Sequence, residues 1–249
     1  MRQGHRRTIR TVDGTVLEVR NLKAAYGQTR VLEGVDLTVA AGEFVVVIGP
    51  NGHGKTTLLR TISGLVPTTA GEITFDGERI DGERPERIAM RGLVHIPQGD
   101  LPFVDMTVEE NLVLGAFPAD AWRIRAERLE RVYGIFPLLA DRRSNRARTL
   151  SGGERRMLAL GRGLMREAKL LMIDEPSLGL APVIVNEVYQ HIEQIVATGI
   201  TLLLVEENFS HVQTFDARVL LLESGRVVRE GLVGDLLADE IVMATYLGT

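Results

Sequence analysis

The sequence contains no cysteine, so it can form neither a disulfide bond nor a thiolate metal site. This absence suits a reducing compartment such as the cytosol. Basic residues are not in excess, because the formal net charge is −4, and this argues against a nucleic-acid partner. No apolar run approaches the ~18–20 residues that a membrane helix needs, and no signal peptide is recognisable. We therefore expect a soluble chain that would act at a membrane only by docking onto a partner.

Apolar residues are plentiful enough for a full core. With 249 residues, of which 45% are hydrophobic, the chain predicts one large domain, or one domain with a subdomain. Residues 1–13 carry scattered arginines, and they predict a disordered basic tail rather than a segment that binds lipid headgroups. Residues 14–249 would then form a single domain, since no repeat, low-complexity tract or linker interrupts them.

Two kinds of strand pattern occur along the chain. Residues 15–19 and 31–39 are strand-like, with turns expected at Asn21 and Gly27, and residues 76–77 (Asp-Gly) are a hairpin signal. These predict an antiparallel β-subdomain. Short, wholly apolar runs separated by helices predict instead a parallel sheet buried on both faces. The runs are residues 44–48, 170–173, 201–205 and 219–222.

Helices are predicted mainly between about residues 101 and 167. Thr107 with Glu110 has the capping-box pattern, and Ser151 caps a further helix. Residues 121–136 predict one long helix, and a later helix is expected over Pro182–Ala197. The apolar side of the long helix would consist of Trp122, Leu129, Val132 and Ile135. The sequence therefore predicts a helical subdomain inserted into an α/β core.

Residues 49–56 (the phosphate loop) fit the pattern G-x-x-x-x-G-K-[ST]. The loop follows the apolar run 44–48 and leads into a helical pattern at 57–62, which is the context that the motif requires. Lys55 would reach the β- and γ-phosphates, and the Thr56 hydroxyl would bind Mg²⁺. The sequence therefore predicts a nucleoside triphosphate site. Its loop residues are Asn51, Gly52, His53, Gly54, Lys55, Thr56 and Thr57.

A second candidate part of the site is the pair of acids Asp174 and Glu175, which ends the apolar run 170–173. Ligands of α/β proteins bind where parallel strands end. We expect Asp174 to hold Mg²⁺ through its water shell and Glu175 to polarise the attacking water.

Residues 150–154 (the signature) read Leu-Ser-Gly-Gly-Glu. A serine that caps a helix beginning with glycines leaves a hydroxyl and backbone N–H groups facing outward, which predicts a second anion site. With this motif the chain resembles the ATP-binding subunit of an ABC transporter, over about residues 16–247. The resemblance implies a P-loop NTPase core, in which helices flank a mostly parallel sheet, with an antiparallel β-subdomain and an inserted helical subdomain.

The same resemblance implies an ATPase that uses ATP and Mg²⁺ and works with a second ATPase subunit, as a homodimer or a heterodimer. In such dimers the signature of one subunit closes over the ATP held by the other. The signature residues that would contact this ATP are Ser151, Gly152, Gly153 and Glu154.

Further positions match the family one at a time. Tyr26 matches the aromatic residue that stacks on adenine. Gln98 matches the glutamine that senses Mg²⁺ and the γ-phosphate, so it joins Thr56 and Asp174 at the metal and also counts among the catalytic residues. Residues 177–180 (the D-loop, Ser-Leu-Gly-Leu) stand where Ser-Ala-Leu-Asp is commoner.

Three departures from the family pattern are apparent. His53 stands where Ala or Ser is usual, and its ring would contact the opposing subunit or face solvent. Arg155 and Arg156 replace glutamines of the subfamily. Glu207 occupies the catalytic switch position, where many members have His and this subfamily has Gln. A carboxylate beside the γ-phosphate and Glu175 would either take up a proton or turn outward, for example towards an arginine; we expect the outward arrangement.

Within the family, residues 106–112, 151–154, 174–182, 236–239 and 246–248 resemble the smaller ATPase of branched-chain amino acid importers. This implies a peripheral subunit on the cytoplasmic face of the inner membrane, docked on transmembrane permease subunits and served indirectly by a periplasmic solute-binding protein. Importers of urea, short amides or other amino acids share the pattern. A soluble ABC ATPase of translation or DNA repair is disfavoured, because the second cassette or coiled-coil insertion usual there is absent. A regulatory module without turnover stays open because of Glu207.

Overall fold

The computed structural model describes residues 14–99, 102–117 and 119–238. The predicted basic tail, residues 1–13, and residues 239 and 246–248 of the subfamily match lie outside the described residues. Within them the chain forms two β-sheets with helices packed around the larger one. None of the described helices has the length and apolar character needed to cross a membrane.

The smaller sheet is antiparallel, as the hairpin and alternation patterns predict. In spatial order its strands are β2 (Thr29–Ala40), β1 (Thr15–Tyr26), β4 (Thr68–Phe75) and β5 (Glu78–Arg79). The turn expected at Asn21 is wrong, because β1 continues through this residue. Asn21 adopts a positive φ of 45°, and its N–H donates to the Asp36 carboxylate at 2.8 Å. Asn21 therefore forms an irregularity within one long strand rather than a turn between two strands.

The larger sheet has six described strands. In spatial order they are β10 (Arg226–Leu232), β9 (Arg218–Glu223), β3 (Phe44–Ile48), β8 (Leu202–Glu206), β7 (Leu170–Asp174) and β6 (Leu93–Ile96). All neighbouring pairs are parallel except the edge strand β10, which is antiparallel to β9. Every residue of β3, β7 and β8 is buried. This confirms the buried parallel sheet predicted from the apolar runs.

Helices cover both faces of this sheet. In chain order they are α1 (Lys55–Ile62), α2 (Pro85–Met90), α3 (Val108–Gly115), α4 (Ala119–Arg123), α5 (Arg125–Ile135), α6 (Pro137–Asp141), α7 (Gly152–Leu164), α8 (Pro182–Ala197) and α9 (Val233–Leu237). Successive side chains of β3 point to opposite faces, as in any strand. Val45 and Val47 join the core under α1 and the smaller sheet, whereas Val46 and Ile48 join the core under α7 and α8. The central strand thus anchors the phosphate loop from both faces.

The single helix predicted over residues 121–136 is wrong, because the chain forms α4 and α5 there. Ile124 leaves helical geometry, with φ −111° and ψ 20°. The Arg125 guanidinium donates a hydrogen bond to the Trp122 carbonyl at 2.9 Å and lies 4.4 Å from the centre of the Trp122 ring. Trp122 is therefore 47% exposed, not part of a continuous apolar side, whereas Val132 is buried. Helices α3 to α7 fall within the predicted range 101–167, and the boundaries of a helical subdomain stay a prediction.

Candidate nucleotide site

The phosphate loop joins β3 to α1 at the edge where the parallel strands end. Gly52 and Gly54 have φ values of 82° and 103°, in the left-handed region that favours glycine. A Cβ on Gly54 would also lie 2.9 Å from the Leu32 side chain. Helix α1 begins directly after Gly54 without any side-chain cap. Its first N–H groups, together with the helix dipole, are therefore suited to an anion.

A cavity of about 480 Å³ lies over this loop. It gathers Tyr26 from the end of β1, Gln98 from the segment after β6 and Glu175 from the end of β7. Its lining consists of Tyr26, Val31, Asn51, Gly52, Gly54, Lys55, Thr56, Thr57, Arg60, Gln98 and Glu175. Tyr26 is 47% exposed, so its ring is available at the cavity. Residues that are far apart in sequence thus meet in one depression of a size suited to a small ligand.

Lys55 and Glu175 form a buried ion pair in this cavity. Lys55 Nζ lies 2.9 Å from Glu175 Oε1, and both side chains are almost wholly buried. The ammonium also donates to the carbonyls of Gly49 and Pro50, at 2.7 and 3.2 Å. The second oxygen, Glu175 Oε2, accepts from Gln98 Nε2 at 3.1 Å. Both oxygens of the Glu175 carboxylate are therefore engaged by the chain itself.

Thr56 and Asp174 meet beside this pair, as the sequence predicts for a magnesium site. Thr56 Oγ1 donates to Asp174 Oδ1 at 3.1 Å. Asp174 Oδ2 is buried and has no hydrogen-bond partner among the described residues. Burial raises the pKa of the Asp174 carboxyl to about 6, although the Thr56 hydrogen bond opposes the rise. Hydroxyl and carboxylate oxygens are ligands that Mg²⁺ accepts, usually with waters and substrate phosphates completing the shell, so the residues fit the ion.

The signature lies at the start of α7, and it does not line the cavity. Ser151 Oγ accepts from Glu154 N at 3.3 Å, while the Glu154 carboxylate accepts from Ser151 N at 2.6 Å, so the two form a capping box. The predicted serine cap is confirmed, whereas an anion-binding role stays a prediction. A Cβ on Gly153 would lie 2.5 Å from Ile184 Cγ2, so glycine permits α7 to approach α8 closely.

The residues that depart from the family pattern form hydrogen bonds within the chain. His53 Nδ1 accepts from Ser224 N at 3.2 Å, in the turn between β9 and β10, and a contact of the ring with the opposing subunit stays a prediction. Arg155 donates to the Leu150 carbonyl at 2.6 Å. Arg156 is buried, and its guanidinium lies 3.5 Å from the Glu175 carbonyl. The second arginine therefore connects the signature helix to the segment that carries Glu175.

Glu207 is exposed, and its carboxylate is directed at the phosphate loop. Its Oε2 accepts from Asn51 Nδ2 at 2.7 Å. The expected outward arrangement is therefore wrong, because the partner of Glu207 is an amide of the phosphate loop and not an arginine.

Two further residues, one in the cavity and one buried behind it, do not follow from the sequence motifs. Arg60 lines the cavity from α1, five residues after Lys55. Glu206 ends β8 and is 1% exposed. The signal for Glu206 was available, because an acid at the end of an apolar strand is the pattern that identified Asp174.

Comparison with known proteins places this geometry in a family. A family model described as "ABC transporter" matches residues 32–178. The chain belongs to the ABC transporter family. It is an ABC ATPase, the ATP-binding subunit of such a transporter, and its fold is that of an ATP-binding cassette. The predicted family, fold class and ATPase activity are thereby confirmed.

Curated relatives of this ABC ATPase cover nearly all of the chain. The branched-chain amino acid transport ATP-binding protein BraG of Pseudomonas aeruginosa is 39% identical over 233 residues, which are 94% of this chain and 100% of BraG. The LptB protein of the Escherichia coli lipopolysaccharide export system is 33% identical, over 93% of this chain and 97% of LptB.

Solved structures of ATP-binding cassettes have the same fold as this chain. A nucleotide-free ATP-binding cassette from an ABC transporter superposes with a TM-score of 0.80 at 26% identity, covering 94% of this chain and all of that chain. A cassette in its ADP conformation superposes with a TM-score of 0.79 at 28% identity, covering 94% and 99% of the two chains.

Proposed function

We propose that this ABC ATPase hydrolyses ATP to energise the import of branched-chain amino acids through a membrane permease. The observation that carries the proposal is the 39% identity to BraG over the full length of that protein. A LivF protein of Archaeoglobus fulgidus, a probable branched-chain amino acid transport ATP-binding protein, supports it at 35% identity.

ATP would bind with its adenine on Tyr26 and its phosphates over the phosphate loop and the start of α1. The β- and γ-phosphates would draw Lys55 away from Glu175, because the ammonium then faces a larger negative charge. Glu175, released from this ion pair, would act as the general base that accepts a proton from the attacking water. Gln98, which already donates to Glu175 Oε2, would hold the carboxylate in place beside the γ-phosphate.

Thr56 and Asp174 would hold Mg²⁺, with Gln98 nearby. The ion would neutralise charge on the β- and γ-phosphates when bound. The unpartnered Asp174 Oδ2 supports this assignment, since a buried polar atom ordinarily has a partner.

A second ATPase subunit would complete each site. The signature residues do not line the cavity over the phosphate loop of their own chain. Ser151 and the N–H groups of Gly152 and Gly153 would therefore meet the γ-phosphate of ATP bound to the partner. This arrangement fits either a homodimer or a heterodimer.

The permease would dock near the segment that follows Gln98. Phe103 and Phe117 are more than half exposed. Arg162 and Arg166 lie over these two rings, at 5.8 and 4.9 Å from the ring centres. Exposed aromatic rings grouped with arginines are typical of protein interfaces. Docked on the permease, the protein would act peripherally on the cytoplasmic face of the inner membrane. A periplasmic solute-binding protein would be an indirect partner.

Uptake measurements test the solute. Cells lacking this chain should take up radiolabelled leucine, isoleucine and valine more slowly, and wild-type chain but not Glu175→Gln should restore uptake. Urea and acetamide uptake should be unchanged. Normal branched-chain uptake together with lost urea or amide uptake would reassign the solute. A defect in lipopolysaccharide export alone would favour the activity named for LptB, and a chain without any turnover would be a regulatory module.

A further inference from the structure

We propose that Glu206 is a positioning residue for ATP hydrolysis. It connects the phosphate loop with the turn in which Glu175 lies. The proposal rests on the proposed role of Glu175 as general base. It concerns a buried carboxylate that lies behind the site and does not line the nucleotide cavity.

The Glu206 carboxylate is held by several elements at once. Its Oε1 accepts from Ser177 Oγ at 2.6 Å and from the hydroxyl of Tyr189 on α8. Its Oε2 accepts from Glu207 N at 2.9 Å, with the ring nitrogen Nδ1 of His211 3.8 Å away. A carboxylate that is 1% exposed can remain charged only when such partners replace water.

The balance of these contacts keeps the group ionised. Burial alone would raise the pKa of the Glu206 carboxyl. The interactions with His211, Ser177, Tyr189 and the Glu207 N–H outweigh burial and leave this pKa below its ordinary value. Glu206 is therefore an anionic acceptor around which the hydroxyl groups are oriented.

Ser177 transmits this restraint to Glu175. The residues are two positions apart in one turn, in which Leu178 N donates to the Glu175 carbonyl at 3.2 Å. Glu175 has a φ of 44°, in the left-handed region. Such a conformation in a non-glycine residue costs ~1–3 kcal/mol and persists only where the surroundings impose it. The bond from Ser177 to Glu206 is one contact that fixes the turn.

The backbone of Glu206 reaches the other half of the site. Its carbonyl accepts from Gly49 N, the first residue of the phosphate loop, at 3.2 Å. The side chain of Glu206 thus restrains the Glu175 turn while its main chain restrains the phosphate loop. This sets the distance between the proposed base and the bound phosphates, on which hydrolysis depends steeply.

The variants that test the proposal are Tyr189→Phe, Ser177→Ala and Glu206→Gln. The first two each remove one donor to Oε1. Glu206→Gln replaces one oxygen by an NH₂ group, which would face either the two hydroxyl donors or the Glu207 N–H. Each variant should lower kcat by ~10-fold or more, because the base is misplaced, while the Kd for ATP stays within ~2-fold, because Lys55 and the phosphate loop are intact.

The experiment measures the Kd for ATP, kcat and the unfolding midpoint of the full-length chain for each variant. Tyr133→Phe is the matched control, because the Tyr133 hydroxyl contacts the Glu109 carboxylate at 3.3 Å outside the site and its loss should leave kcat unchanged. Ser177→Ala with Tyr189→Phe should lower kcat by less than the product of their separate effects, since both hydroxyls bind one oxygen.

Three outcomes separate this proposal from the role of Glu175. If Tyr189→Phe and Ser177→Ala fold and keep the wild-type kcat while Glu175→Gln is inactive, only the positioning role is overturned. The same holds if these two variants lose only affinity for ATP. Wild-type turnover in Glu175→Gln would overturn the proposed base itself. If Glu206→Gln fails to fold, the two hydroxyl variants still decide the matter.

Discussion

Lys55 Nζ and Glu175 Oε1 are 2.9 Å apart, so the cation expected at the phosphates is paired with the expected base. The pair is almost wholly buried, and a buried charge without its partner is costly. If Lys55 binds the phosphates as proposed, ATP binding would replace Glu175 by phosphate oxygens as the partner of Lys55. This relationship determines what substitutions at either residue should do.

Lys55→Ala should abolish tight ATP binding. Removal of the ammonium deletes a charge-assisted contact to the β- and γ-phosphates, which corresponds to a rise in Kd of about 100-fold. Titration with Mg²⁺-ATP measures this effect, and unchanged affinity would contradict the phosphate-loop assignment. The variant should also lower the free energy of unfolding by ~3 kcal/mol, since Glu175 loses its partner. Lys169→Ala is the control, because its contact with Asp76 is exposed and should contribute at most ~1 kcal/mol.

Glu175→Gln should retain ATP binding but lose hydrolysis by a factor of roughly 10²–10⁴, the usual contribution of a general base. The trapped species should be an ATP-bound dimer with a doubled mass in size-exclusion chromatography. Glu72→Gln, at an exposed carboxylate paired with Arg79, should hydrolyse ATP normally. Wild-type turnover in Glu175→Gln would place the base elsewhere.

Ser151→Arg should block the second anion site while each monomer still binds ATP. Closure of the dimer and turnover should both fail, because an arginine occupies the space meant for the partner's phosphate. Ser151→Ala and Thr107→Ala separate capping from this role, since each removes a capping box worth ~1 kcal/mol. Only the change at Ser151 should affect turnover. Full activity of Ser151→Arg would show that the signature does not act across a dimer.

Glu207→Gln should behave like wild type at every pH. The carboxylate accepts one hydrogen bond from Asn51, and the amide oxygen of Gln can accept the same bond. Glu207→Ala should instead release Asn51 and loosen this part of the phosphate loop. The pH–rate profile of Glu207→Gln decides the point, because loss of an alkaline limb would indicate that protonated Glu207 takes part in turnover.

His95 should make the protein sensitive to acid. Burial, together with the nearby charge of Arg60, lowers the pKa of His95 from 6.5 to about 4. The unfolded state takes up a proton as pH falls below 6.5, whereas the folded state does not until about pH 4, so stability is lost over this window. The loss should reach at most ~3 kcal/mol. Denaturant titrations should show that the free energy of unfolding of His95→Gln falls less than that of the wild type between pH 6.5 and about 4. An equal fall in both proteins would contradict this role of His95.

Local patterns account for the parts of the site that the sequence predicts. The phosphate loop, the acids after β7 and the serine cap of α7 depend on residues a few positions apart. Backbone geometry and short-range hydrogen bonds determine such structures. The helical pattern over residues 121–136 did not predict the break at Ile124, where the chain leaves helical geometry and divides into α4 and α5.

The sequence by itself determined the nucleotide motif and the buried strands, because short motifs and wholly apolar runs encode them, and its motifs carried the resemblance to the family. Only the tertiary structure decided which motifs touch. Strand β8 lies between β3 and β7, and this order brings Glu206 against Ser177 and Glu207 against Asn51. An apolar run specifies that a strand is buried but not which strand lies beside it. Those contacts therefore depend on the sheet order, which results from packing of the whole chain.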